Sequence, residues 1–343
     1  MQVLFAKGGQ SLKTGTLLKI SFLLIFLLIG SIKIKQELFL TGVQTVPLLS
    51  EELTGSQTTL VIATGDMSGV YFPLGKAIAD LNQKYNGKAS GTQVTNASIQ
   101  NTKLVSQKQT ELGFSTVDVL ALPEIKKSEI LALTGLYSNF IHIVTTESDI
   151  HNLEDLRGKR VSIGTVGSGT KLMSERILKA ANLASYEMDL STLSFTQSAD
   201  ALRNGTIDVA FFSSGLPNPV IAELASEMEL SLVPIPKQIA ESLHEEFGFY
   251  TLDEISGQTY KGMESTPTLA VKNVLLTYPD LPKQEAYQIV KTLYDHLPEL
   301  QNAHPEALEI NLAETNLGVP IDFHPGAKQF FEEIIHLNTK STN

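Results

Sequence analysis

The stretch Gly164-Thr165-Val166-Gly167-Ser168-Gly169-Thr170-Lys171, GTVGSGTK, follows the strand-like KRVSI (159–163) and opens the helix-like KLMSERILKAA (171–181). A glycine turn between a strand and a helix punctuates a βα unit, and it is where such units hold anions. The nucleotide phosphate loop G-x-x-x-x-G-K-[ST] is one exchange away, because here Thr170 precedes Lys171. That exchange is disabling: neighbouring helical positions lie about 100° apart, so the lysine and the hydroxyl no longer reach phosphate and magnesium. Two readings stay open for the loop alone. Gly167 and Gly169 could let the backbone approach a carboxylate, with Ser168 and Thr170 adding hydroxyls at the helix start. Alternatively, Ser168 or Thr170 simply caps the helix. In either case Lys171 is expected to turn toward solvent or the lobe surface.

An echo of this unit lies about 100 residues upstream, a spacing that suits a second domain. VIATGDMSGVYFPLGKAI (61–78) repeats the order strand, glycine turn with serine, helix start. Around it, apolar runs alternate with amphipathic segments. TLVIAT (59–64), GTQVTN (91–96) and ELGFST (111–116) read as strands, and 71–85 reads as a helix with Leu74, Ile78, Leu81 and Tyr85 on one face. LALTGL (131–136) and IHIVTT (141–146) read as two further strands, LSLVPIP (230–236) as a later one, and 282–297 and 327–338 as helices. The expected fold class is α/β with two lobes, each opened by a glycine loop at the carboxyl end of a strand, where open parallel sheets bind ligands. Ser68 in the first loop could equally be a plain helix cap.

Composition narrows the function. The 343 residues are 42% hydrophobic, enough for substantial cores, and contain no cysteine, which excludes disulfides, thiolate metal sites and cysteine nucleophiles. Lys7, Lys13 and Lys19 precede the apolar run ISFLLIFLLIG (20–30), the pattern of a secretory signal. Residues 1–35 are read as that signal, or as an N-terminal anchor if it is not cleaved, and 36–57 as a linker; the mature protein is expected in the periplasm. Residues 1–35 hold five of the 26 basic side chains and none of the 37 acidic ones, so the body is more acidic than the whole-chain net charge of −11. Such a body is a poor nucleic-acid partner. The seven histidines include no H-x-x-x-H or H-E-x-x-H spacing, and no G-x-S-x-G elbow occurs, so neither a metal site nor a nucleophile with its base is nominated. The chain is therefore not expected to be an enzyme or to need a cofactor.

Four segments, IATGDMSGVYFPLGKAIA (62–79), LEDLRGKRVSIGTVGSGT (153–170), ALRNGTIDVAFFSSGLPNP (201–219) and GVPIDFHPGAKQFF (318–331), together resemble the TAXI solute receptors, the TRAP-associated extracytoplasmic immunogenic proteins. The resemblance runs in order from about Thr59 to Phe331. It implies a two-lobed type II periplasmic binding protein: lobe 1 from 58–146 and again from 266–343 with C-terminal helices, and lobe 2 from 147–265. It also implies capture of a small anionic solute, glutamate, glutamine or another carboxylate, for the membrane subunits of a TRAP transporter. An anchored sensor on the same fold is the rival from another class. Residue by residue, GDMSGVY carries over Ser68, Gly69 and Tyr71, TNASIQN carries over Ser98 and Asn101, and GSGT carries over Gly167, Ser168 and Thr170, with Gly169 between them. Where many members read G-F-x-Q-x-D this chain reads GFSTVD, placing Thr116 at the amide position. The second glycine of the family's T-G-G-S is Ala97, and the common Y-P-E is YSN at 137–139. These departures imply a solute of altered size or polarity.

Overall fold

The computed structural model describes residues 59–341 except residue 316. The expected signal or anchor and the linker at 36–57 lie outside the described residues. Among these residues no helix is long and apolar enough to cross a membrane.

The first half builds β1 (Leu60–Ala63), α1 (Tyr71–Asn86), β2 (Ser90–Gln93), α2 (Ser98–Ser106) and β3 (Leu112–Thr116), with β2 and β3 both parallel to β1. The second half repeats the plan with β5 (Arg160–Ser162), α3 (Gly169–Ala180), β6 (Asp189–Ser191), α4 (Phe195–Arg203) and β7 (Val209–Ser214), with β6 and β7 parallel to β5. Helical crossovers are what parallel neighbours require. α5 (Pro219–Glu227), β8 (Ser231–Leu232), α6 (Lys237–Phe247) and β9 (Tyr250–Ile255) follow. The chain then returns through β10 (Thr266–Thr277) to α7 (Lys283–Asp295), α8 (Leu297–Gln301) and α9 (Pro325–Ser341).

Two long strands join the halves. The apolar runs at 131–136 and 141–146, expected to be separate strands, form one continuous β4 (Leu131–Thr145). At about 3.3 Å per residue it extends roughly 50 Å, enough to serve both halves. Its whole length is antiparallel to β10 or β7: Leu131–Phe140 faces β10, and Phe140–Thr145 faces β7. The sheet order is therefore β2-β1-β3-β10-β4-β7-β5-β6, with β9 on β10 and β8 on β4. Two parallel βαβ halves bridged by a pair of antiparallel crossing strands make the two-lobed type II periplasmic binding protein fold.

Burial follows the strand period. In β7, Val209 and Phe211 enter a core shared with Val161 and Ile177, while Ala210 and Phe212 enter another with Leu202 and Ile221. Both faces are covered, as in a sheet flanked by helices. Leu60, Ile62, Leu74, Ile78 and Phe114 form a third core in the first half. Tyr85 departs from the expected buried face: it is 41% exposed, stacked on His296 and hydrogen bonded to Glu299, because the last turn of α1 lies against the start of α8.

Candidate functional site

Across the junction of the two halves, the loop after β5 meets the start of α2, and the loop after β1 meets the start of α4. The amides of Ile99 and Gln100 both donate to the Gly167 carbonyl at 3.1 Å. A second contact closes the other side, where Thr196 Oγ1 donates to Ser68 Oγ at 3.2 Å and the Phe195 ring lies within van der Waals reach of Gly69. Between these contacts is a cavity of about 390 Å³, bounded by residues of both halves. Its size falls in the range of about 300–1,000 Å³ common for small-molecule sites.

The GTVGSGTK loop bounds it. Gly164 (φ 89°) and Gly167 (φ 87°) take the left-handed backbone that makes the turn. Ser168 caps α3, accepting from the Lys171 amide at 3.0 Å and donating to the Thr165 carbonyl at 2.7 Å. The capping reading thus holds for the Ser168 hydroxyl, although Ser168, Gly169 and Thr170 all lie on the cavity wall. Thr170 Oγ1 accepts from the Ser213 amide at 3.3 Å, which leaves its proton to give. A Cβ on Gly169 would come within about 3 Å of the Ser98 and Thr116 hydroxyls, so glycine lets the two halves approach here. Lys171 points away and pairs with Glu175 one turn along.

From the first half, Gly69, Tyr71 and Ser98 also reach the wall. The other four expected residues are placed behind it, each for a visible reason. Ser68 is not a helix cap; the residue before α1 is Val70, and the Ser68 amide and hydroxyl both donate to Asp66 Oδ1. Asn101 is a brace, with Nδ2 donating to the Thr64 and Phe114 carbonyls and Oδ1 accepting from Thr95. Thr116 sits behind Gly169, and Gly167 spends its carbonyl on the other half. Tyr71 is on the wall, but its phenol donates to Asn273 Oδ1 and burial holds its pKa well above the ordinary tyrosine value. It acts as a neutral hydrogen-bonding group.

Ala97, where the resembled family has glycine, adopts φ 70°, ψ −144° just before α2. An alanine pays for that conformation in strain of order 1–3 kcal/mol. Ala97→Gly is expected to stabilise the fold by about 1 kcal/mol, net of glycine's greater unfolded-state entropy. A chemical denaturation midpoint that stays put or falls would disprove the strain.

The crossing strands and the end of β7 supply residues that were not among the expected site residues. Asn273 Nδ2 donates to the Tyr137 carbonyl at 3.0 Å and to Asn139 Oδ1 at 2.9 Å, so β4 and β10 are tied at the junction by a fully buried amide. Tyr137, Asn139, Ser213 and Ser214 face the cavity from the middle of β4 and the end of β7. The hydroxyls of Tyr137, Ser213 and Ser214 are buried with no hydrogen-bond partner among the described residues. Buried polar groups are nearly always satisfied, so three orphans on one wall mark a place for a polar ligand. Nearby, His142 receives the Tyr260 hydroxyl on Nε2 at 2.8 Å and turns Nδ1 to the Phe140 carbonyl at 3.1 Å; burial lowers its pKa to about 4, so it is neutral.

A model of the NMT1-like family matches residues 62–334, from β1 into α9. The chain belongs to the NMT1-like family. Among solved structures, the NMT1-like chain is similar to the periplasmic aliphatic sulphonate binding protein SsuA of Escherichia coli, at 14% identity over 73% of each chain with a TM-score of 0.41. It is also similar to the alkanesulfonate-binding protein SsuA of Xanthomonas axonopodis pv. citri bound to MOPS, at 15% identity over 71% of this chain and 72% of that one, TM-score 0.44. A third similarity is to the GluR0 ligand-binding core with L-glutamate, at 11% identity over 74% and 98%, TM-score 0.44. At this distance the likeness says nothing of the solute of the NMT1-like chain. The NMT1-like match covers both glycine loops and both crossing strands, and so every residue of the cavity wall.

Proposed function

We propose that the protein is an extracytoplasmic receptor that captures a small carboxylate between its lobes and hands it to a membrane transporter of the TRAP type, without chemical change. The observation that carries this reading is the cavity at the junction of the halves, with donor hydroxyls left over on its wall. A receptor needs shape, hydrogen-bond donors and two bodies that close, and no acid–base pair. The lobes divide as 58–146 with 266–343, and 147–265, and the crossing strands form the hinge. The carboxylate lies at the start of α3, against Gly169, Thr170 and Ser98, with Tyr71 beside it. The resemblance to TAXI receptors supports the transporter type and the periplasmic location.

The test is direct. Mass spectrometry of solute released on denaturing the purified full chain should show a small organic acid. Calorimetry with that acid should show Thr170→Val combined with Ser98→Ala weakening binding by about one to two orders of magnitude, at about 1 kcal/mol per lost bond. Unchanged affinity would reject this wall as the binding surface.

A further inference from the structure

The cavity wall has two chemically distinct parts. At the floor, formed by the β10-paired part of β4 and the end of β7, the hydroxyls of Tyr137, Ser213 and Ser214 are at least nine-tenths buried and unpartnered among the described residues. They adjoin Thr170 at the start of α3, because the Ser213 amide donates to Thr170 Oγ1. On another part of the wall the loop after β1 meets the start of α4. Several polar atoms there are already engaged: Asp66 Oδ1 takes both Ser68 donors, Thr196 donates to Ser68, and Ser194 accepts from the Gln197 amide. Beside the Asp66 carboxylate, that part offers a solute the apolar surface of Val70, Leu193 and Phe195.

Charge sharpens the selection. No lysine, arginine or histidine lines the cavity among the described residues, and the one charged wall residue is the half-buried carboxylate of Asp66. Hydroxyl donors and a helix start can hold one carboxylate, since charge-assisted bonds from several donors offset its burial. A second carboxylate would be buried with no cation and with Asp66 repelling it.

We infer that the solute is a monocarboxylate with an apolar body, its head at Thr170 with Ser98 on one side and the Tyr137, Ser213 and Ser214 hydroxyls on the other, and its body against Val70, Leu193 and Phe195. This rests on the receptor reading above and narrows it, excluding glutamate and other diacids.

Calorimetry on the full chain with straight-chain acids from butanoate to octanoate tests it, beside the diacid of each length and 2-aminohexanoate. Affinity is expected to rise about fourfold per added methylene until the cavity fills. The diacid and the amino acid should each bind about a hundredfold more weakly than the matching monoacid. Ser213→Ala with Ser214→Ala should weaken monoacid binding about tenfold or more, with the far-ultraviolet circular dichroism spectrum retained, and D66N should bring the diacid about tenfold closer to the monoacid. Affinity that ignores chain length, or a diacid or amino acid that binds as well as the monoacid, overturns the inference. If no acid binds but a solute of other chemistry is released on denaturation, the inference falls while the receptor reading stands. If no solute of any class binds or is released, both fall.

Discussion

Arg176→Met is expected to lower the free energy of unfolding by about 3–5 kcal/mol, the usual result of removing one partner from a buried ion pair. Asp118 follows β3 and is fully buried; Arg176 reaches it from α3 in the other half, at 3.4 Å. The guanidinium also lies 4.2 Å from the Phe247 ring centre and donates to the Tyr250 phenol, which in turn donates to Asp118 at 3.0 Å. Burial raises the Asp118 carboxyl above the ordinary range even with Arg176 beside it. A carboxyl raised in the folded state contributes stability at low pH that is lost as pH rises. Without the guanidinium it rises further, so the loss should be larger at pH 8 than at pH 5. Adding Asp118→Asn to Arg176→Met should recover part of the loss, because the uncompensated charge goes with it. Urea denaturation at both pH values measures this, and a loss below about 1 kcal/mol at pH 8 would show that the pair bears no more than a surface one.

Glu306→Gln is expected to stabilise the protein at pH 8 by about 3 kcal/mol and to have little effect near pH 4. Glu306 is 4% exposed; one oxygen accepts from the Leu216 amide and the other has no hydrogen-bond partner among the described residues. Gly215 is glycine because a Cβ there would come within 2.5 Å of Glu306 Cγ and 2.7 Å of its carboxyl carbon. Desolvation raises its pKa from 4.5 to about 7. Its contribution is complete below pH 4.5, where both folded and unfolded forms are protonated, and fades as pH rises to 7. His142, His304 and His324 run the other way: burial lowers their pKa values, so they remove stability as pH falls below about 6.5. The Glu306 share is therefore read from the difference between the wild type and Glu306→Gln across pH 4–8. A difference that stays flat would refute it. Glutamine keeps the acceptor for Leu216, so the comparison isolates the proton.

Local patterning carried most of the fold into view. Strand, glycine turn and helix are adjacent in sequence, so both βα halves were legible from 59–116 and 159–214. The crossing strand was not, because Ser138 and Asn139 interrupt its apolar run and read as a break. The partners of Asn139 lie far off in the chain: Asn273, 134 residues away, and the Ser213 carbonyl. The same limit governs the site. The loops after β1 and β5 announce themselves through glycine, whereas Tyr137 reaches the cavity only because β4 pairs with β10, and Ser213 and Ser214 only because β7 pairs with β4. The SSG at the end of AFFSSG was the available signal: small hydroxyl residues where a fully buried strand ends. Asn101 and Ser68, expected at the ligand, spend their hydrogen bonds on neighbouring backbone and side chains, because a polar residue near a glycine loop can brace the loop as readily as meet a ligand.

The Gly167 carbonyl, which takes the Ile99 and Gln100 amides, fastens the halves with main-chain atoms alone. Such a fastening is blind to what the cavity holds and out of reach of any side-chain replacement. At about 1 kcal/mol per bond it shifts the open–shut balance by roughly five- to thirtyfold toward shut. On the proposed function, a solute then forfeits less of its intrinsic affinity to closing the lobes, because apparent affinity scales with the shut fraction. The corresponding cost on that function falls on signalling: shut geometry becomes an imperfect report of cargo, and the proposed transporter partner would have to sense the solute itself to avoid engaging empty carriers.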